Sequence, residues 1–266
     1  MSGAKGKAVV TGASAGIGMV YADRLAGRGY DLVLVARRAD RLAAVAEELK
    51  AKHGVSVETV VADLGKAADL DRVASHLAGD QRVTLLVNNA GTSTLAPTVQ
   101  ISSADLDAMN NVNVVALSRL TLAVLPGFKA RDQGTIINIG SILGFQSLPV
   151  SSLYSGTKSY VLSFTRGLQA ELANSKIVVQ LVVPAATATD LWELSGVPLS
   201  ALNPSTVMSV EDCVDAALSG LDQGELVTLP SVENATALLA AYDAARNALL
   251  GGAQSGKPAS RYSLSR

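Results

Sequence analysis

Tyr154 and Lys158 lie four residues apart in a stretch of helical period, so their side chains share one face. Upstream, Ile139-Gly140-Ser141 closes a short apolar run. A phenol, an ammonium and a hydroxyl held together form a proton-transfer set. A free phenol with a pKa of about 10 shuttles protons sluggishly at neutral pH, and a nearby ammonium favours the phenolate and lowers that pKa. Taken singly, a buried Tyr, a snorkelling Lys and a turn Ser need no chemistry. The set acquires meaning from what surrounds it.

The strongest surrounding feature is Thr11-Gly12-Ala13-Ser14-Ala15-Gly16-Ile17-Gly18, placed between an apolar run and an amphipathic stretch. A strand that doubles back into a helix so tightly, with a pyrophosphate against its main chain, needs residues without Cβ, and the helix then offers free N–H groups and a positive dipole end. A tight turn without a ligand is the alternative. At the close of the next apolar run, Val35-Ala36-Arg37-Arg38 has alanine where an acid holding a ribose 2′-hydroxyl is expected. The two guanidinium groups that follow suit a 2′-phosphate, because their planar forks bind phosphate oxygens bidentately. A solvated basic pair at a helix entrance is the other reading.

The elements that would position these residues alternate. Strands are expected over 8–11, 31–36, 55–61, 84–88, 135–139, 177–183 and 225–229, several of them apolar throughout, as strands covered on both faces must be. Helices are expected over 18–28, 40–52, 70–77, 104–125, 155–172 and 211–221, where apolar residues recur three and four apart. This order predicts an α/β fold, a Rossmann-like doubly wound parallel sheet of about seven strands with ligands at the carboxyl ends of the strands. Residues 1–250 read as one domain, in which the irregular segment 190–209 suits a mobile lid, and 251–266 read as a tail.

The glycine spacing G-x-x-x-G-x-G, with Asn88-Asn89-Ala90-Gly91 after the fourth strand and the Ser, Tyr and Lys, resembles the short-chain dehydrogenase/reductase family over residues 7 to about 230. The resemblance implies an oxidoreductase that interconverts a carbonyl compound and a secondary alcohol, with Ser141, Tyr154 and Lys158 as the catalytic set. It adds Asn113 as a fourth member, binding a water near Lys158. It also implies a nicotinamide cofactor, which Arg37 and Arg38 specify as NADP(H). Gly12, Ser14, Ala15, Gly16, Ile17 and Gly18 would contact its phosphates, and Asp63-Leu64 its adenine, although Asp63 could equally cap a helix. Asn89, Ala90 and Gly91 would line it, Lys158 would hold the nicotinamide ribose, and Pro184, Ala185, Thr187 and Thr189 would face the nicotinamide. Ala185 stands where the family usually has Gly, which leaves the local backbone course in question.

Leu95, Ile142, Leu143, Phe145, Leu148 and Trp192 are expected to line a mostly apolar substrate pocket. A 3-oxoacyl-[acyl-carrier-protein] reductase is the enzymatic rival, with Lys129 and Arg131 as thin support for a carrier-docking patch. A non-catalytic NADP(H)-binding sensor is the rival outside enzymes. Family members usually pair subunits through the fourth and fifth helices, so Leu117, Leu120 and Val124 are either interface or core, in a homodimer or homotetramer.

Composition narrows the remaining classes. The 266 residues are 48% apolar and 17% charged, with a formal net charge of −1, which speaks for a large core and against nucleic acid as a partner. Arg119 and Gln180 interrupt the most apolar stretches, so no membrane span is expected, and Gly12, Gly16 and Gly18 make the N-terminal stretch a poor signal peptide. A cytoplasmic location is the expectation. Cys213 is single, and His53 and His76 are isolated, so no metal is expected.

Overall fold

A computed structural model describes residues 5–262. The chain divides into two compact units, one reaching to Ser231 and one beginning at Val232. The first carries seven strands, β1 (Lys7–Thr11), β2 (Asp31–Ala36), β3 (Val57–Val61), β4 (Val83–Asn88), β5 (Gly134–Ile139), β6 (Ile177–Val182) and β7 (Val227–Thr228). They pair in the order β3-β2-β1-β4-β5-β6-β7, and every pairing is parallel. The order reverses between β1 and β4, and a crevice opens there above the carboxyl ends of both strands.

The strands are as apolar as burial on two faces requires. All six residues of β2, Asp-Leu-Val-Leu-Val-Ala, are buried. Helices α1 (Gly16–Gly27), α2 (Ala39–His53) and α8 (Val210–Asp222) cover one face, where Tyr21, Leu25, Leu42, Val214 and Leu218 meet Ala8, Val10, Leu32 and Leu34. Helices α3 (Ala67–Gly79), α5 (Leu117–Ala130) and α6 (Ser152–Glu171) cover the other, where Leu70, Leu77, Leu120, Phe128 and Leu168 meet Val9, Val33 and Ile136. Leu120 and Val124 belong to this core and Leu117 is buried beside them in α5, so a subunit interface would use other faces of α5.

Two expected elements take a different form. The helix expected over 104–125 is α4 (Ser103–Asn110), a π-helical turn (Asn111–Ala116) and α5 in sequence. Residues Ser103–Ala130 are long and apolar enough to cross a membrane by length and composition, yet Leu117, Leu120, Thr121, Val124 and Phe128 are buried in the protein core. The lid segment contains one short helix, α7 (Leu191–Leu194), and two 3-10 turns, Leu199–Ala201 and Pro204–Thr206.

The second unit contains α9 (Ala235–Gly252), which was not among the expected elements. The compact division thus falls ahead of the boundary expected at 250. Its Ala- and Leu-rich sequence has strong helix propensity, but no residue of α9 is buried, so there is no core-facing stripe for periodicity to register. Arg246 lies 5.5 Å from the centre of the Tyr242 ring within it.

Candidate active site

The floor of the crevice is the turn after β1. Gly12 (φ +67°) and Gly16 (φ +55°) adopt left-handed backbone that side-chain-bearing residues resist. A Cβ on Gly12 would lie 2.8 Å from Asn89 Nδ2, and one on Gly18 would lie 2.5 Å from the Gly12 carbonyl oxygen. Gly18 therefore packs beneath the turn and does not line the cavity. Ala15 precedes α1 without any side-chain cap, which leaves the first-turn N–H groups directed at the cavity.

Side-chain hydrogen bonds lock this turn to β4. The Thr11 hydroxyl accepts from the N–H groups of Asn89 (2.9 Å) and Ala90 (3.0 Å) and donates to the Val87 carbonyl (3.1 Å). The Asn89 amide donates to the Thr11 carbonyl at 2.9 Å. Deeper in, Asn88 donates to Asn138 (2.9 Å) and Thr121 (3.0 Å), and Asn138 donates to Thr165 (3.0 Å). The Asn88–Asn138 bond ties β4 to β5. Thr11 and Asn138 were missed as contributors, since a polar residue ending an apolar run carries no signal of the bonds it makes across the sheet.

Above this floor lies one cavity of about 750 Å³, bordered by almost every residue singled out in the sequence. Gly12, Ser14, Ala15, Gly16 and Ile17 border it from the turn, Arg37 and Arg38 from the end of β2, and Asp63 and Leu64 from the end of β3. Asn89, Ala90 and Gly91 follow β4, and Pro184, Ala185, Thr187 and Thr189 follow β6. Arg38 reaches Ser14 Oγ at 3.4 Å, so one guanidinium already leans over the glycine turn. A cradle that Cβ atoms would fill, a helix N-terminus and two arginines fit a phosphorylated dinucleotide.

The candidate reactive groups stand at the other end. Ser141 stands two residues past the end of β5, and its Oγ accepts from the Leu143 N–H at 3.1 Å, which fixes its direction. Its hydroxyl is near enough to the Tyr154 hydroxyl to favour the phenolate. Lys158, one turn along α6, donates to the Ile139 carbonyl at 2.9 Å, and its Nζ lies 5.8 Å from the Tyr154 ring centre. Burial pushes Tyr154 up to about 12 and Lys158 down to about 8, while the neighbouring Ser141 hydroxyl works against the rise at Tyr154. The lowering of Tyr154 by Lys158 expected from their spacing is not seen; burial dominates at both groups and favours their neutral forms.

Asn113 lies on the Lys158 side of the Gly91 loop. Its Oδ1 accepts from the Thr92 N–H (2.9 Å), and its Nδ2 donates to the Thr92 carbonyl (2.9 Å) and the Thr157 hydroxyl (3.0 Å). With those bonds made, the amide does not line the cavity. The side chain clamps the loop that follows β4 to α6.

Leu95, Ile142, Leu143, Leu148 and Trp192 border the cavity. Phe145 does not: the 3-10 turn Ile142–Gly144 seats Gly144 against the Lys158 backbone, where a Cβ would lie 2.8 Å from the carbonyl oxygen, and Phe145 follows beyond the wall. Leu191 and Leu194 take part in the wall and were missed, because the irregular lid sequence has no period from which facing could be read. Lys129 and Arg131 close α5, at the end of the sheet away from the crevice. Arg131 is bonded to the carbonyl of Val83 at the start of β4, so neither borders the crevice.

Among the described residues no group of three His, Cys, Asp or Glu side chains gathers as a metal site. His53 pairs with Asp23 and His76 with Glu58, each at 2.8 Å.

The model of the short chain dehydrogenase family matches residues 6–196. The chain belongs to the short-chain dehydrogenase family. Among relatives of this oxidoreductase family, a very-long-chain 3-oxoacyl-CoA reductase of Anas platyrhynchos is 39% identical over 204 residues, 75% of this chain and 65% of that protein. The corresponding Homo sapiens reductase is 36% identical, with the same coverage. The chain thus spans about 65% of the length of these curated relatives. Among solved structures, a short-chain dehydrogenase from Sphingobium yanoikuyae in complex with NADPH is 43% identical, with a TM-score of 0.93, covering 97% of this chain and 100% of that one. The bulky-bulky ketone specific alcohol dehydrogenase of Comamonas testosteroni is 37% identical, with a TM-score of 0.88, covering 97% of this chain and 98% of that one.

Proposed function

We propose that this short-chain dehydrogenase interconverts ketones and secondary alcohols with NADP(H), and that its substrates carry apolar groups on both sides of the carbonyl. The observation that carries the reading is that Ser141, Tyr154 and Lys158 border the same cavity as Arg37 and Arg38. NADPH in the Sphingobium structure supports the choice of cofactor.

The protein's own groups would act as follows. Ser141, held by the Leu143 N–H, donates to the carbonyl oxygen and keeps it beside the phenol. Tyr154, kept neutral by burial, passes its proton to that oxygen as negative charge develops there. Lys158, anchored on Ile139, presents its remaining N–H groups toward Tyr154 and the ribose site. A bound reduced nicotinamide supplies the hydride. Thr187 and Thr189 would hold the nicotinamide end, and Arg37 and Arg38 the 2′-phosphate.

The wall of Leu95, Ile142, Leu143, Leu148, Leu191, Trp192 and Leu194 supports apolar substituents. Leu148 and Leu194 remain 51% and 66% exposed, so the wall continues out of the cavity and accommodates a substituent larger than a methyl group. The curated relatives favour a second reading, a 3-oxoacyl thioester with its chain along that wall. We further propose a homo-oligomer that pairs through the outward residues Leu122 and Tyr160 of α5 and α6, which are 61% and 40% exposed, and a cytoplasmic location.

The deciding experiment is a ketone panel assayed with NADPH and NADH, including dialkyl and aryl-alkyl ketones and 3-oxoacyl thioesters. NADPH-dependent turnover of the bulky ketones, lost in Tyr154→Phe, is the expected outcome. Undiminished turnover in that variant would sink the mechanism, and turnover of thioesters alone would select the second reading.

A further inference from the structure

The lid begins with an acid that does not do the usual work of its position. Asp190 is the N-cap of α7, where an aspartate ordinarily accepts a bond from its own helix, yet its side chain caps nothing. Its Oδ2 instead lies 3.3 Å from Arg41 Nη1 and 3.5 Å from Arg38 Nη1. One carboxylate oxygen is shared by two guanidinium groups from the far side of the crevice. The adjacent residue crosses the crevice as well, since a Cβ on Gly16 would lie 3.3 Å from Thr189 Cγ2. Arg38, Ser14, Thr189 and Asp190 all border one cavity, so the lid's first turn bridges from the β6 loop to the arginines over the glycine turn.

The same turn leads to the substrate wall. Trp192 Nε1 donates to the Thr187 carbonyl at 2.9 Å, and the Leu95 N–H donates to the Ser195 carbonyl at 2.9 Å. Residues 190–195 therefore connect the arginine pair to the loop after β4 through a handful of bonds.

From this we propose that Asp190 is an internal counter-ion for the 2′-phosphate site, competing with the cofactor for Arg38 and Arg41. Occupation of that site then releases the first turn of the lid. The inference rests on the NADP(H) reading and adds two residues to it, Arg41 as a further phosphate-facing cation and Asp190 as its competitor. The physical basis is that a dianionic phosphate and a carboxylate cannot both take the same guanidinium face without like-charge repulsion. The ion pairs are solvent-exposed, so their worth is small and the exchange is easy. A weak competitor of this kind tunes affinity and couples it to motion without abolishing binding.

Trp192 is the single tryptophan of the chain and sits in the turn concerned, so its emission reports the lid. The probes are adenosine 2′,5′-bisphosphate and adenosine 5′-monophosphate, which differ only in the 2′-phosphate and lack the nicotinamide that would quench tryptophan. Calorimetry should find the bisphosphate bound about three- to tenfold more tightly by Asp190→Asn than by the native protein, and the monophosphate bound equally by both. The bisphosphate alone should shift Trp192 emission in the native protein, and it should do so no longer in Asp190→Asn. Bisphosphate affinity unchanged by Asp190→Asn, with native preference for bisphosphate over monophosphate intact, overturns the inference and leaves the NADP(H) reading standing. Equal native affinity for the two probes overturns both.

Discussion

Lys158 Nζ donates to the main-chain carbonyl of Ile139 at 2.9 Å, two residues before Ser141 in the chain. The bond fixes the lysine to the end of the strand that presents the serine, so two reactive groups from different elements share one anchor. It is also a bond made by a cation removed from water, and its consequence is measurable.

Burial pushes Lys158 down to about 8 from its ordinary 10.5, so the folded chain holds this proton less tightly than the unfolded chain does. Its contribution to stability is therefore fully present above pH 10.5, falls as the pH drops, and reaches its least favourable value below about 8. Lys158→Met is expected to be more stable than the native protein at pH 7, by about 1–2 kcal/mol after the lost bond to Ile139 is counted. The difference should shrink toward pH 10. Urea unfolding of both proteins at the two pH values checks the sign, and a pH-independent difference contradicts it.

Tyr154 and Ser141 are expected to fail in separable ways. Tyr154→Phe removes the proton donor and should lower kcat about 10²–10⁴-fold with NADPH affinity retained. Ser141→Ala removes an oxygen-directed donor and should cost about 10²–10³-fold. Steady-state kinetics alongside a cofactor titration distinguish these losses from a collapsed site.

Arg37→Ala should weaken NADPH about 10- to 100-fold and leave NADH within about twofold, since only the former carries the 2′-phosphate. Fluorescence titration with each cofactor provides the comparison. Equal weakening of both would mean that Arg37 supports the cleft and does not read the phosphate.

Gly18 is outside the cavity, yet a Cβ there would lie 2.5 Å from both the Gly12 carbonyl oxygen and Asn89 Nδ2. Gly18→Ala is expected to destabilise by about 1–3 kcal/mol and to weaken dinucleotide binding through the displaced turn. Gly167→Ala, in α6 with nothing within 4 Å of the added carbon, should be neutral or stabilising. Thermal melts of the two variants test the contrast.

Asn113→Ala deletes both bonds to Thr92 and the one to Thr157. Leaving those groups unpaired should cost about 2–4 kcal/mol and slow turnover by shifting the Gly91 loop beside Lys158. Because Asn113 is a positioning residue, the loss should appear in stability as well as in kcat. A variant with native melting behaviour and reduced kcat would point to direct participation.

Much of this was legible in particular stretches of sequence. The β2 run and the glycine turn announce themselves because an apolar strand, a left-handed backbone and a helix start are each specified by neighbouring residues. Phe145 and Asn113 show the limit. Both stand beside correctly read motifs, yet a 3-10 turn seats Gly144 on α6 and takes Phe145 off the cavity, and a π-helical turn delivers Asn113 to Thr92. Helix α9 was missed for the converse reason, since a helix without a buried face has no period to read.

The sequence by itself determined the doubly wound order of elements and marked the glycine cradle, the arginine pair and the candidate reactive residues, because each is encoded over a few consecutive positions. Only the tertiary structure decided that Tyr154 is held neutral, since desolvation sums over residues from distant parts of the chain. It alone brought Asp190 to Arg38 and Arg41, because a carboxylate and guanidinium groups so far apart in sequence become neighbours only when the crossovers of the sheet return both to one crevice.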